Sequence, residues 1–120
     1  MTNDGAVETG TNPRSLDGAT LEPALAESRL AIVEFWADGC LFSRLLQPKS
    51  RRLAARYGDR LLVARCRLDG SEAIVERIGV RYLPAVVLFR AGKPLRKWYG
   101  DTPESMLVRA VESLLENVDG

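Results

Sequence analysis

Histidine is missing from this chain of 120 residues, and cysteine occurs only twice. Without histidine there is no Cys–His nucleophilic dyad, and a four-ligand Cys/His zinc site cannot be built within one chain. Two cysteines are too few for a disulfide scaffold. An excess of either charge is lacking too: 17 Lys and Arg stand against 16 Asp and Glu, a formal net charge of +1. That balance gives no electrostatic reason to bind nucleic acid or an anionic membrane. No apolar run approaches the roughly 20 residues of a membrane span. The opening "MTNDGAVETG" has neither the basic n-region nor the apolar h-region of a signal peptide. The expectation is one soluble cytoplasmic domain, where thiols stay reduced, long enough to bury a core unaided.

What is present has a clear order. Residues 1–17 are rich in Gly, Thr, Asn and Asp and read as a flexible segment ahead of a domain over 18–120. "LDGATLEPALAES" reads as a short helix with Leu21, Leu25 and Ala26 on its apolar side. "LAIVEFW", 30–36, is nearly all apolar, the pattern of a strand buried on both faces; Glu34 is its exception. From Cys40 to Tyr57 the period is helical, with Phe42, Leu46, Leu53 and Tyr57 in one stripe and a kink expected at Pro48. "LLVARCRL" reads as a second strand, "SEAIVERIG" as a helix capped by Ser71 and stopped at Gly79, and "AVVLFR" as a third strand. "AGK" turns the chain into "PLRKWYG", an antiparallel partner. The last helix follows Thr102 as cap and Pro103 at its first position, with Leu107, Val111, Leu114 and Val118 as its stripe. Strands separated by helices predict an α/β fold, a parallel sheet with helices on both faces made mixed by the closing hairpin.

Cys40 stands at a strand-to-helix junction after Gly39. A thiolate there faces the free N–H groups and positive dipole of the helix start, which bring a thiol from roughly 8.5 into the range of about 3.5–7.5. Arg44 adds positive charge, and Ser43, one turn on, can donate its hydroxyl to the sulfur. The plainer alternative is that free cysteines are commonly buried and inert; position tilts Cys40 toward function. Cys66 lies mid-strand on the face of Leu62, Ala64 and Leu68, where a small buried hydrophobe is the better reading. Arg44, Lys49, Arg51, Arg52 and Arg56 give the 40–57 helix a basic face; a solvated surface is preferred there to an acidic docking site.

"VEFWADGC", "VARCRLD" and "GVRYLPAVVLFRAGK", with Pro48 in the helix and Gly92 and Gly100 around the hairpin, together resemble the thioredoxin family over roughly 29–118. The resemblance implies a three-layer α/β/α sandwich with a central mixed sheet of four or five strands. It implies that Cys40 is the attacking cysteine, Glu34 the buried acid that assists proton transfer, and Arg65 its basic partner. Pro84 would be the cis-proline, leaving the backbone of Leu83 free to pair with an extended substrate. Trp36, Gly39, Leu41, Phe42 and Gly100 would line the binding surface.

The departures define the function. Ser43 stands where the motif has its second cysteine, Gly39 where it has Trp, and Leu41-Phe42 where it has Gly-Pro. "TNPRSL" is a poor counterpart to the family's first strand, which would leave 61–68 as an edge. A hydroxyl cannot resolve a mixed disulfide, so Cys40 is expected to work as a lone thiol, with an outside thiol such as glutathione as resolving partner and no cofactor or metal. Disulfide isomerisation, deglutathionylation or capture of protein thiols follows, by a monomer that binds extended polypeptide, not nucleic acid or membrane. The non-catalytic alternative is a binding module or chaperone using an apolar patch of Trp36, Leu41, Phe42, Tyr82 and Leu83. A third reading comes from "CLFS", which is similar to the "CGFS" of monothiol glutaredoxins, holders of glutathione and an iron–sulfur cluster. The surrounding motifs, and the lack of a Gly-Gly pair after "LFR", argue against it.

Overall fold

The computed structural model describes residues 12–39, 43–68 and 73–119. Five strands form one sheet in the order β1-β3-β2-β4-β5. They are β1 (Arg14–Leu16), β2 (Leu30–Trp36), β3 (Leu62–Arg67), β4 (Ala85–Arg90) and β5 (Lys93–Tyr99). The helices are α1 (Leu21–Ala26), α2 (Ser43–Tyr57), α3 (Ala73–Ile78) and α4 (Glu104–Asp119), with a 3₁₀ turn at Gly58–Arg60.

β2 is central and apolar because both of its faces are covered. Ala31, Val33 and Phe35 join α1 and α3 in one core, with Leu21, Leu25, Ile78 and Phe89. Leu30 and Ile32 join α2 and α4 in the other, with Leu46, Leu53, Tyr57, Leu107 and Val111. Burying each such side chain stabilises the fold by roughly 1.5–3 kcal/mol. On α1 the buried residues are Leu21, Ala24 and Leu25; Ala26, expected on the apolar side, is exposed. α2 runs through Pro48 without ending, although that ring removes the N–H that would bond to the carbonyl of Arg44.

Three further sequence expectations are corrected. The poor strand "TNPRSL" does contain a strand: Arg14, Ser15 and Leu16 pair in parallel with Ala64, Arg65 and Cys66. β3 is therefore internal and β1 is the edge. Next, β4 runs antiparallel to β2, with Phe35 opposite Ala85 and Leu30 opposite Arg90, while β2 and β3 are parallel. The helix between the two strands is short. α3 has six residues, about 9 Å of rise, against about 20 Å for a six-residue strand. The chain re-enters the sheet at the end it left. Last, the hydroxyl of Thr102 does not cap α4; it donates back to the carbonyl of Gly100 at 3.4 Å, and Thr102 is buried.

The β4–β5 hairpin turns on two residues with positive φ, Ala91 at 50° and Gly92 at 80°, the geometry that matches the strands' twist. A register shift follows between Leu88 and Phe89: Leu88 faces Arg96 and Phe89 faces Pro94, so Leu95 is the extra residue of a bulge.

Candidate functional site

Register brings the site to one end of the sheet. β2 and β3 both finish there, with Trp36 opposite Arg67. β4 starts there, since Ala85 is paired with Phe35, which sets Pro84 beside the end of β2. The Leu83–Pro84 peptide bond is cis, and the Pro84 carbonyl accepts from the N–H of Gly100 at 2.9 Å. α2 opens at Ser43. Cys40, Leu41 and Phe42 lie outside the described residues, as does the side chain of Ser43.

Side chains alternate across a strand, so Glu34 and Trp36 of β2 and Arg65 and Arg67 of β3 share the sheet face covered by α2. Glu34 is buried, and its carboxylate accepts from Arg65 Nε at 2.8 Å. The Arg65 side chain keeps 19% exposure, so the pair connects a buried carboxylate to the surface. A carboxylate in this position needs such a partner, because burying a lone charge is costly. The guanidinium of Arg65 also lies 4.8 Å from the centroid of the Trp36 ring, and that of Arg67 lies 5.9 Å from it. Arg67 closes the ladder by pairing with Asp38, which holds that carboxyl below its usual range, chiefly through the hydrogen bond and then through the charge. A cleft of about 370 Å³ beside them is lined by Ser15, Leu16, Asp17, Trp36, Arg65 and Arg67.

Asp38 leads into Gly39, whose φ of +88° is one that L side chains rarely adopt. On the other side of the cis bond, Tyr82 is 68% and Leu83 36% exposed. Trp36, by contrast, is half-buried with guanidinium groups against its ring. It does not form one bare apolar surface with Tyr82 and Leu83.

The structure thus unites Glu34, Trp36, Arg65, Leu83, Pro84 and Gly100 at one end of the sheet. Arg67 and Asp38 were missed by the sequence reading. The sequence carries only a partial signal for them: a period of two runs through Glu34 and Trp36 to Asp38, just past the end of β2, and through Arg65 and Arg67, while their pairing depends on the register of the two strands. Three cations of the basic face of α2 are spent on α4 and the loop before it. Lys49 pairs with Asp101 at 2.6 Å and donates to the Thr102 carbonyl at 2.8 Å, Arg52 pairs with Glu104 at 2.7 Å, and Arg56 approaches Glu112 at 3.8 Å. Cys66 points to the opposite face, fully buried among Leu16, Ala64 and Leu68. Burial, with a smaller contribution from Asp17, pushes its thiol up to about 11. A larger cleft, about 650 Å³, lies at the far end of the sheet around Leu30 and Leu62 and holds no thiol.

The family model for thioredoxin matches residues 13–113. A thioredoxin of Alicyclobacillus acidocaldarius is 24% identical over 102 residues, 85% of this chain and 97% of its own. Among solved structures, a mutant thioredoxin from Halobacterium salinarum superposes with a TM-score of 0.74 at 25% identity, covering 88% of this chain and 92% of that one. A chain from the complex of ferredoxin:thioredoxin reductase with thioredoxin f2 superposes with a TM-score of 0.73 at 20% identity, covering 88% and 97%, and shares the fold. Among the described residues no helix is long and apolar enough to cross a membrane.

Proposed function

The chain belongs to the thioredoxin family of thiol–disulfide oxidoreductases, which use their own cysteines and no cofactor, and we propose on that premise that it works with a single thiol, Cys40. The observation that carries this reading is the state of the other thiol. Cys66 is fully buried and its thiol is held near 11, so it supplies neither a nucleophile nor a resolving group. With Ser43 in the second motif position, exchange chemistry in this chain falls to Cys40.

The Cys40 thiolate attacks one sulfur of a partner disulfide. A mixed disulfide forms, and the departing sulfur leaves as thiolate and takes a proton from solvent. Glutathione thiolate then attacks the Cys40 sulfur, releasing the partner as thiol and leaving Cys40 bonded to glutathione. A second glutathione restores the Cys40 thiolate and leaves as glutathione disulfide. Glu34, paired with Arg65, serves as the proton relay beneath the site, and Ser43 donates its hydroxyl to the sulfur. Trp36, Gly39, Leu41, Phe42, Leu83, Pro84 and Gly100 form the surface that receives an extended segment. Protein thiols and disulfides are the substrates, and the protein acts as a cytoplasmic monomer. One solved neighbour is a thioredoxin in complex with its protein reductase, which supports a protein partner.

The test is the rate of Cys40 alkylation against pH in a Cys66→Ala variant. A thiol pKa well below 7 is expected. A value at or above about 8.5 overturns exchange in favour of the binding module, a reading the exposure of Tyr82 and Leu83 supports.

A further inference from the structure

Beside the cis Leu83–Pro84 bond lies a corner whose side chains the exchange step does not use. The Tyr82 and Tyr99 rings meet edge to face, centroids 5.6 Å apart at 85°. The Tyr99 hydroxyl donates to the Gly79 carbonyl at 3.2 Å and accepts from the Arg81 N–H at 3.3 Å. Gly100 N–H to Pro84 O adds a third tie between the same two segments. Tyr82 is thus presented on a braced support, so little ordering remains to be lost when it is covered.

Two cations at this corner have no acidic partner among the described residues. The Lys97 side chain passes 3.5 Å from where a Cβ on Gly79 would stand, and both Lys97 and Arg81 are exposed. No described carboxylate lies within ion-pair distance of either. On the opposite side of the sheet Lys49, Arg52, Arg56, Arg65 and Arg67 are matched to acids, while Arg44, Arg51 and Arg96 have no described acid within ion-pair distance. Of the described acids near in sequence, Glu76 on α3 is exposed and reaches neither cation, and Asp101 is paired with Lys49.

We propose that this corner selects the partner: an acidic polypeptide segment whose carboxylates meet Arg81 and Lys97 while an apolar side chain covers Tyr82. The inference rests on the exchange reading for its purpose, because it names the class of segment brought to Cys40. Two unpaired cations steer a partner and reject a basic one, an effect that salt screens.

The experiment separates recognition from chemistry. Two peptides of equal length carry a central Ser and a Phe, one flanked by Asp and Glu, the other by Lys. Their affinities are measured by fluorescence anisotropy for the full chain carrying Cys40→Ser. Cysteine versions, as glutathione mixed disulfides, are then reacted with the wild-type chain. The acidic peptide is expected to bind at least about fivefold more tightly at low salt, with the difference collapsing near 0.5 M salt. Arg81→Glu with Lys97→Glu should reverse the preference, and Tyr82→Ser should weaken both peptides. Equal binding of the two peptides overturns the proposal, and if both still react with Cys40 the exchange reading stands. Preferential binding without reaction keeps this proposal and removes the exchange reading. Binding of neither peptide overturns it as well.

Discussion

Phe35 and Glu34 are neighbours in β2 and point to opposite faces of the sheet, and those faces are built by different means. Under α1 and α3 the core is dry: Phe35, Phe89, Val33, Val87 and the thiol of Cys66 pack together with almost no exposure. Both helices have six residues, too few to be stable alone, so burial must hold them, with one surface ion pair, Arg77–Glu22, between them. Under α2 and α4 the helices have 15 and 16 residues. There a buried carboxylate, a tyrosine hydroxyl and a row of ion pairs share the interface with the apolar stripes. Lys49, Arg52 and Arg56 recur at three- and four-residue spacing along α2, which keeps them on one side of the helix facing α4. The difference assigns roles. The apolar face holds Cys66 away from solvent, and the polar face holds the Glu34–Arg65 pair beneath the strand ends.

Predictions follow from that contrast in order of size. Phe35→Ala should cost about 3–5 kcal/mol by denaturant titration; a loss under about 2 kcal/mol would mean that the dry face collapses around the gap and is less tightly built than its burial indicates. Glu34→Ala should cost about 3 kcal/mol, because it breaks a largely buried ion pair by removing its fully buried member. The double change Glu34→Leu with Arg65→Met should recover most of that stability without recovering activity, which would separate the pair's structural contribution from its chemical one.

Cys66→Ser should cost about 1–3 kcal/mol by placing a hydroxyl among apolar side chains, whereas Cys66→Ala should cost less. The thiol also carries a pH signature. Its folded value is raised from 9.0 to about 11, so its contribution is fully present below pH 9 and is lost as pH rises toward 11. Alkylation of Cys66 in Cys40→Ser chains should accordingly track global unfolding rather than pH alone. Smaller again, Arg52→Ala should cost about 0.2–1 kcal/mol, since that pair is exposed. Tyr57→Phe, which removes a 2.8 Å bond to Glu112, should cost about 1 kcal/mol. Burial first, and Glu112 second, push the Tyr57 hydroxyl up to about 12. The wild type should lose that increment between pH 10 and 12, and the Phe variant should not. If Arg52→Ala proved as costly as Phe35→Ala, the contrast between the faces would fail.

β2 was legible to the residue because burial on both faces leaves a continuous apolar run with polar ends. β1 was not. Three residues with one buried side chain, Leu16, have no period to read, and the strand exists because β3 offers it an edge. The direction of β4 was hidden for a related reason: alternation reports which faces are buried, while direction depends on how far the connection travels. Glu34 stood out as an acid in an apolar strand, and its pairing with Arg65 followed from the resemblance. The Arg67–Asp38 pair needed the strand register, which no single strand carries.

The two outer strands have a consequence for the protein at high concentration. A sheet that ends in unpaired N–H and C=O groups invites another sheet to continue it. Here β1 offers three residues, too short a template to hold a foreign strand. β5 is longer, but it carries Pro94, a bulge at Leu95, and Lys93, Arg96 and Lys97. Two copies meeting along that edge would set cations against cations. Resistance to aggregation is thereby written into the rim of the sheet, and neutralising those three cations would weaken it without touching the core.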